Sequence, residues 1–298
     1  MKRINALALT LGLAVLVCMP TYADEKGTTT YNFETINFPG DTFTQLLGIN
    51  NSDVIAGYHG ATVNQGFTLV LPTRIFTTEN FPGSAQTQVI AFNNNSVTAG
   101  FYIDAAGNTH GFTDTRSAFL TVDFPGTPFN QLLGQNDHGQ AAGYYSTKAE
   151  GTGPDLAYIY NEFRSVFELL NIPGSTSAQA TGINDSGSVC GFFVDAQGVN
   201  HGFLMIPGHF EVLNFPASTG TQAFGLNNNG QLVGLYTDSS NGTHGFVYKV
   251  STKIFQSIDD PAGVGTTIVN SINDKGFLVG FFGTAPTNNG FVATPSER

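Results

Sequence analysis

The stretch TGINDSGSVCGFFVDAQGVNHGF, Thr181–Phe203, gathers Asp185, Cys190, Asp195 and His201 among five glycines. Such a run could be read as a metal loop or a nucleophile site. The same pattern returns as IAFNNNSVTAGFYIDAAGNTHGF, Ile90–Phe112, and as FGLNNNGQLVGLYTDSSNGTHGF, Phe224–Phe246, so its first meaning is architectural. Further out, NFPG at Asn37–Gly40 comes back as NFPG at Asn80, DFPG at Asp123, NIPG at Asn171, NFPA at Asn214 and DDPA at Asp259. The prolines fall at 39, 82, 125, 173, 216 and 261, in steps of 43, 43, 48, 43 and 45 residues. A period in the low forties with several short strands per unit is the pattern of a β-propeller.

Each unit reads as four strands. In Thr181–Phe203 and its continuation, ATGIN is a strand, NDSG a tight turn, SVCGFFV a strand, DAQG a turn, VNHGFLMI a strand, and HFEVLNF the fourth before the proline. Asn and Asp start a type I turn and Gly takes the left-handed position that closes it, giving a hairpin with a bulge. Asp53 and Ser96 replace that Gly in two units. Period-two alternation sets Gln179, Thr181 and Ile183 on one face of the first strand and Ala180, Gly182 and Asn184 on the other. Small residues at 48, 91, 134, 182, 225 and 271 let neighbouring units approach near a crowded axis. On the second strand, glycines at 57, 100, 143, 191, 234 and 280 each precede a ring or Leu, an arrangement expected to fit bulk into gaps between sheets.

The chain opens on a fourth strand, YNFETINF (Tyr31–Phe38), and closes on a first, second and third strand. The expectation is therefore an all-β, six-bladed propeller of four-stranded antiparallel blades. The N-terminal strand pairs with the C-terminal blade, which leaves no open sheet edge. Residues 31–294 form the propeller, residues 24–30 a flexible segment and residues 295–298 a tail.

The unit GIND.G..VGF..D..G..HGF resembles the bacterial extracellular repeats named for a His-Ala-Phe triplet (HAF repeats), with His-Gly-Phe here at His110, His201 and His244. The resemblance covers six copies and nearly all of residues 31–294. It implies an exported, β-propeller-like protein and brings no activity or site. Gln65, Leu156 and Asn289 stand where three units would carry the His, which argues against a catalytic role shared by all units.

Residues 1–23 read as a cleavable export signal: Lys2 and Arg3, an apolar run from Ala6 to Val17, and a small-residue exit at Thr21–Ala23. That run is shorter than the roughly 20 apolar residues of a spanning helix, and no later segment approaches that length. Val17 before Cys18 does not suit a lipoprotein signal. Removal of the signal takes away Lys2, Arg3 and Cys18, moves the formal charge from −11 to −13 and leaves Cys190 alone, so stability comes from packing rather than a disulfide. The acidic balance opposes a nucleic-acid partner. The sequence thus points to a secreted or periplasmic monomer without a transmembrane segment.

Cys190 aligns with Ala56, Ala99, Ala142, Val233 and Val279, which marks a packing slot without an activating base. His110, His201 and His244 lie on separate units, too far apart to share a metal. Asp104, Asp195 and Asp238 each begin a turn with a single carboxylate, where calcium needs several. No GxSxG, HExxH, phosphate or dinucleotide motif is present, and no cofactor is expected. An extracellular hydrolase or lyase with a carboxylate pair from distant units stays open as an alternative, as does a structural cell-surface component. The strongest binding constellation is Gln45, Gln88, Gln131, Gln179 and Gln222, which start five of six inner strands and should ring the channel mouth, with Ile268 in the sixth. Loops carrying Phe43 and Phe129 share that face. Amides both donate and accept, so this face would take a polar small molecule, a glycan or a peptide. The same amides could instead tie down the adjoining loops.

Overall fold

The computed structural model describes residues 28–115 and 118–296; residues 1–23, expected to be an export signal, and most of residues 24–30 lie outside them. The fold is all β. Four sheets have four antiparallel strands each, and a fifth has eight. The eight-stranded sheet is two antiparallel runs of four, Gln86–Val122 and Phe129–Leu169, joined by one parallel bridge between Phe129 and Thr109. The first strand, Tyr31–Thr35, lies antiparallel beside Thr287–Pro295, with Asn32 opposite Thr294. Residues ahead of it are also held. The Thr29 N–H donates to Gln256 Oε1 at 3.0 Å and Gln256 Nε2 donates back to the Thr29 carbonyl at 2.6 Å, so residues 28–30 are anchored rather than free.

Turn chemistry sets the hairpins. The fourth turn residue has positive φ in every unit, at Asp53, Ser96, Gly139, Gly187, Gly230 and Gly276. The leading Asn is buried in five of these turns and half-buried at Asn184, and each works in two directions. The Oδ1 of Asn50 accepts the N–H groups of Ser52 and Val54, and the other five Asn repeat the pattern. The Nδ2 donates to the carbonyl of the corresponding Asn in the next unit. These bonds run 50 to 93, 136, 184, 227 and 273 and return from Asn273 to Asn50, all at 3.0–3.2 Å. A second cycle follows one residue on, each backbone N–H from Asn51 to Asp274 donating to the next unit's side-chain oxygen, with Asp274 returning to Asn51 at 2.9 Å.

Strict alternation does not hold along the inner strands. Each slips register by one residue, at Leu47, Ile90, Leu133, Thr181, Phe224 and Asn270. The bulge drives the preceding backbone toward the second strand. A Cβ on Gly191 would lie 2.0 Å from the Gln179 carbonyl oxygen, and the other five second-strand glycines face the same carbonyl. Those glycines therefore answer the bulge of their own hairpin rather than a gap in a neighbour. Between units the close approach is as expected: a Cβ on Gly134 would lie 2.8 Å from Gly182 Cα. Cores form between adjacent sheets, as in the group of Val233, Ile258, Val269, Leu278 and Phe291.

Candidate functional site

The inner strands converge on an axial cavity of about 290 Å³, bounded at its outer rim by Gln45, Gln88, Gln131, Gln179 and Ile268. At its waist lie the six bulge residues, Leu47 to Asn270, which also bound a smaller cavity of about 110 Å³ on the asparagine-turn side. Tyr58, Phe101, Phe192 and Phe281, the rings after the second-strand glycines, complete the wall.

Four of the five glutamines are brought together, and each is anchored. The hydroxyl of Tyr58 donates to Gln45 Oε1 at 2.7 Å, and that of Tyr144 to Gln131 Oε1 at 2.8 Å. Burial pushes both phenols far above their ordinary range, so they stay protonated donors. Where the second-strand residue is Phe, the amide turns the other way. Gln88 Nε2 donates to Asn64 Oδ1 at 2.8 Å, and Gln179 Nε2 to Asp155 Oδ2 at 2.7 Å, both partners in the preceding unit. Burial raises the Asp155 carboxyl against the lowering effect of Gln179. The Tyr-or-Phe choice thus sets amide polarity, leaving NH2 at Gln45 and Gln131 and carbonyl oxygen at Gln88 and Gln179 for the cavity.

Three expected residues are placed differently. Gln222 is not part of the cavity wall, which Phe224 builds there, edge-on to Phe192 at 6.2 Å. Phe43 and Phe129 are buried behind the wall, tilted against Tyr58 and Tyr144 at 5.9 and 5.8 Å. They support the tyrosines that orient Gln45 and Gln131. Tyr58 and Tyr144 were read from the sequence as packing rings rather than glutamine partners, and Asn64, Asp155 and Asn270 were not expected at the site. For Asn270, its place in the row Leu47, Ile90, Leu133, Thr181, Phe224, Asn270 was the available signal.

The other polar constellations are struts. His110 lies between Asp123 Oδ2 (2.7 Å) and Asp104 Oδ2 (3.3 Å), His244 between Asp259 (3.0 Å) and Asp238 (3.3 Å), and His201 between Asn214 (2.7 Å) and Asp195 (3.0 Å). Burial pulls each imidazole down, but the neighbouring acceptors outweigh it and raise it above its ordinary value. Asp104 is held low by Asn108, Asp195 by His201 and Asp238 by the Gly242 N–H. The Oδ1 of each turn Asp accepts two backbone N–H groups, so the carboxylate is spent on its own turn. Cys190 is fully buried and its thiol is pushed up to about 12 by that burial.

No protein-family model matches the chain, and no curated protein matches it in sequence. Solved structures do match in fold. A structure assigned to TolB of Agrobacterium tumefaciens superposes with a TM-score of 0.63 at 10% identity, covering 91% of this chain and all of that one. The fucose-recognising lectin of Aleuria aurantia, described as a six-bladed β-propeller, gives 0.52 at 10% identity, covering 82% and 88%. AofleA of Arthrobotrys oligospora gives 0.53 at 13%, covering 89% and 86%. The fold is that of the β-propellers, built from four-stranded antiparallel sheets. At such identities the likeness establishes fold alone.

Proposed function

We propose that this chain is an exported, six-bladed propeller of the HAF-repeat type, a monomer acting as a non-catalytic scaffold that binds a polar, uncharged ligand or surface partner at the Gln-lined mouth. Counting six blades treats the eight-stranded sheet as two, since one bridge joins its halves. The return of the asparagine cycle from Asn273 to Asn50, and the pairing of Tyr31–Thr35 with Thr287–Pro295, support closure of the ring by the N-terminal strand.

The observation that carries the functional reading is the cavity itself, where first and second strands from around the axis bring four oriented glutamine amides and five aromatic rings to one concave site. Its wall holds no carboxylate, so the hydrolase or lyase alternative finds no acid–base pair there. A propeller lectin that recognises fucose makes glycans a reasonable first class to test. Array binding to glycans and peptides, abolished by Gln131→Ala and Gln179→Ala, is the expected result. Polysaccharide turnover would favour the enzyme instead, and self-association at low concentration the structural component.

A further inference from the structure

Resting on the reading of the Gln-lined mouth as a binding site, we propose that its ligand is the terminal residue of a neutral saccharide, inserted end-on, and that Asn270 is the residue that reads its deepest group. The inference starts from what the wall offers. Gln45 and Gln131 have their carbonyl oxygens occupied by Tyr58 and Tyr144, so they present N–H groups. Gln88 and Gln179 have spent an N–H on the preceding unit, so they present carbonyl oxygen. Donors and acceptors therefore alternate around the rim from one unit to the next. A hydroxyl group is the ligand group that serves both, donating to one amide and accepting from its neighbour.

Between and below the amides the wall is apolar, with Phe101, Phe192 and Phe281 facing the cavity. A sugar ring combines hydroxyl edges with a C–H face that packs on such rings. Anionic ligands are opposed: no Lys or Arg is among the residues lining the cavity, and the Asp155 carboxyl stands behind Gln179.

The floor gives the selectivity. Four of the six bulge residues, Leu47, Ile90, Leu133 and Phe224, are apolar, and the Thr181 hydroxyl donates its proton to the Ala223 carbonyl at 2.9 Å. Asn270 breaks the row. Its Nδ2 is buried and has no hydrogen-bond partner among the described residues. A buried amide N–H2 without an acceptor is costly to leave unmade, and rotation of the Asn270 side chain, which lines the cavity, would turn that group to a ligand oxygen at its foot. Leu already occupies this register at positions 47 and 133, so Asn270→Leu fits the strand and removes the amide.

The test is saturation-transfer NMR and titration calorimetry of the full protein with methyl glycosides of fucose, mannose, glucose and galactose, against glucuronate, glucosamine and a neutral tetrapeptide. Expected is saturation of at least one neutral glycoside and none of glucuronate. Asn270→Leu should weaken that binding about tenfold with no loss of thermal stability, and Gln131→Ala should abolish it. Binding lost in Gln131→Ala yet unchanged in Asn270→Leu would overturn the role of Asn270 and leave the mouth as the site. Gln131-dependent binding of glucosamine or the peptide, with no neutral glycoside bound, would overturn the saccharide and leave the mouth. Glycoside binding indifferent to Gln131 would overturn both.

Discussion

At the residue scale, one side chain often does two jobs, which is why single positions decide so much here. Asn227 is buried, satisfies the N–H groups of Asn229 and Gln231 through Oδ1, and bonds across to the Asn273 carbonyl through Nδ2 at 3.0 Å. Asn227→Ala takes that partner from two donors and from two acceptors, the Asn273 carbonyl and Gln231 Oε1, and a loss of about 2–4 kcal/mol in chemical denaturation is expected. Cys190 should behave in the opposite way, as an inert filler. With its thiol held protonated by burial, a thiol reagent should label it at the rate of global unfolding, and fast native labelling would contradict that. The first-turn asparagines were legible as turn formers, but their reach into the next unit was not, because a sequence does not show which turns face each other. Gln45, Gln88, Gln131 and Gln179 were legible for the converse reason: a repeat puts equivalent residues at equivalent radii. Gln222, Phe43 and Phe129 were misplaced because the rule fixes radius and leaves side-chain direction to the neighbours.

At the scale of elements, the inner-strand bulge is the feature that period-two reading cannot supply. One extra residue in each hairpin shifts the pairing beyond it by one, while Thr181 and Asn270, at the bulge, still share the axial face with Gln179 and Ile268 two residues earlier. The seams between sheets carry a second irregularity. Glu79 occupies a register that holds Ile36, Val122, Leu170, Leu213 and Ile258 elsewhere, and it accepts a hydrogen bond from Thr98 across the seam. Burial, with a further push from Asp114, raises its carboxyl to about 7. A carboxyl raised on folding adds stability below its unfolded value, near 4.5, that is lost as pH rises through 7. Glu79→Leu is expected to stabilise the protein by about 1–2 kcal/mol at pH 8 and to flatten the fall in melting temperature between pH 5 and 8. The histidine struts act in the same direction. Their raised imidazoles contribute below about pH 6.5 and lose that contribution as pH climbs through the raised value, while the lowered Asp104, Asp195 and Asp238 contribute above about pH 4 and lose it on acidification. A melting-temperature profile with its plateau between those limits is expected, with His244→Gln trimming the alkaline side.

At the scale of the whole molecule, the returning proline motif carried nearly all of the architecture, since a unit repeated six times with four strands each leaves few arrangements that bury every sheet face. The order of strands along the chain is also what led to the expectation of closure by Tyr31–Phe38. The residues that build the mouth were half readable: their ring was, their hydrogen-bond polarity was not, because that depends on whether Tyr or Phe stands across the hairpin. If the first strand completes the last sheet, deleting residues 31–38 exposes the edge of Thr287–Pro295 and yields insoluble protein. Closure can be measured without damage to the ring. Asn32 and Thr294 lie directly opposite one another, and the buried Cys190 will not compete for oxidation. Asn32→Cys combined with Thr294→Cys should form an intramolecular disulfide, identified by mass spectrometry of the non-reduced digest, with a higher melting temperature when oxidised. Two free thiols, or dimers linked through them, would contradict a ring whose ends meet in one sheet.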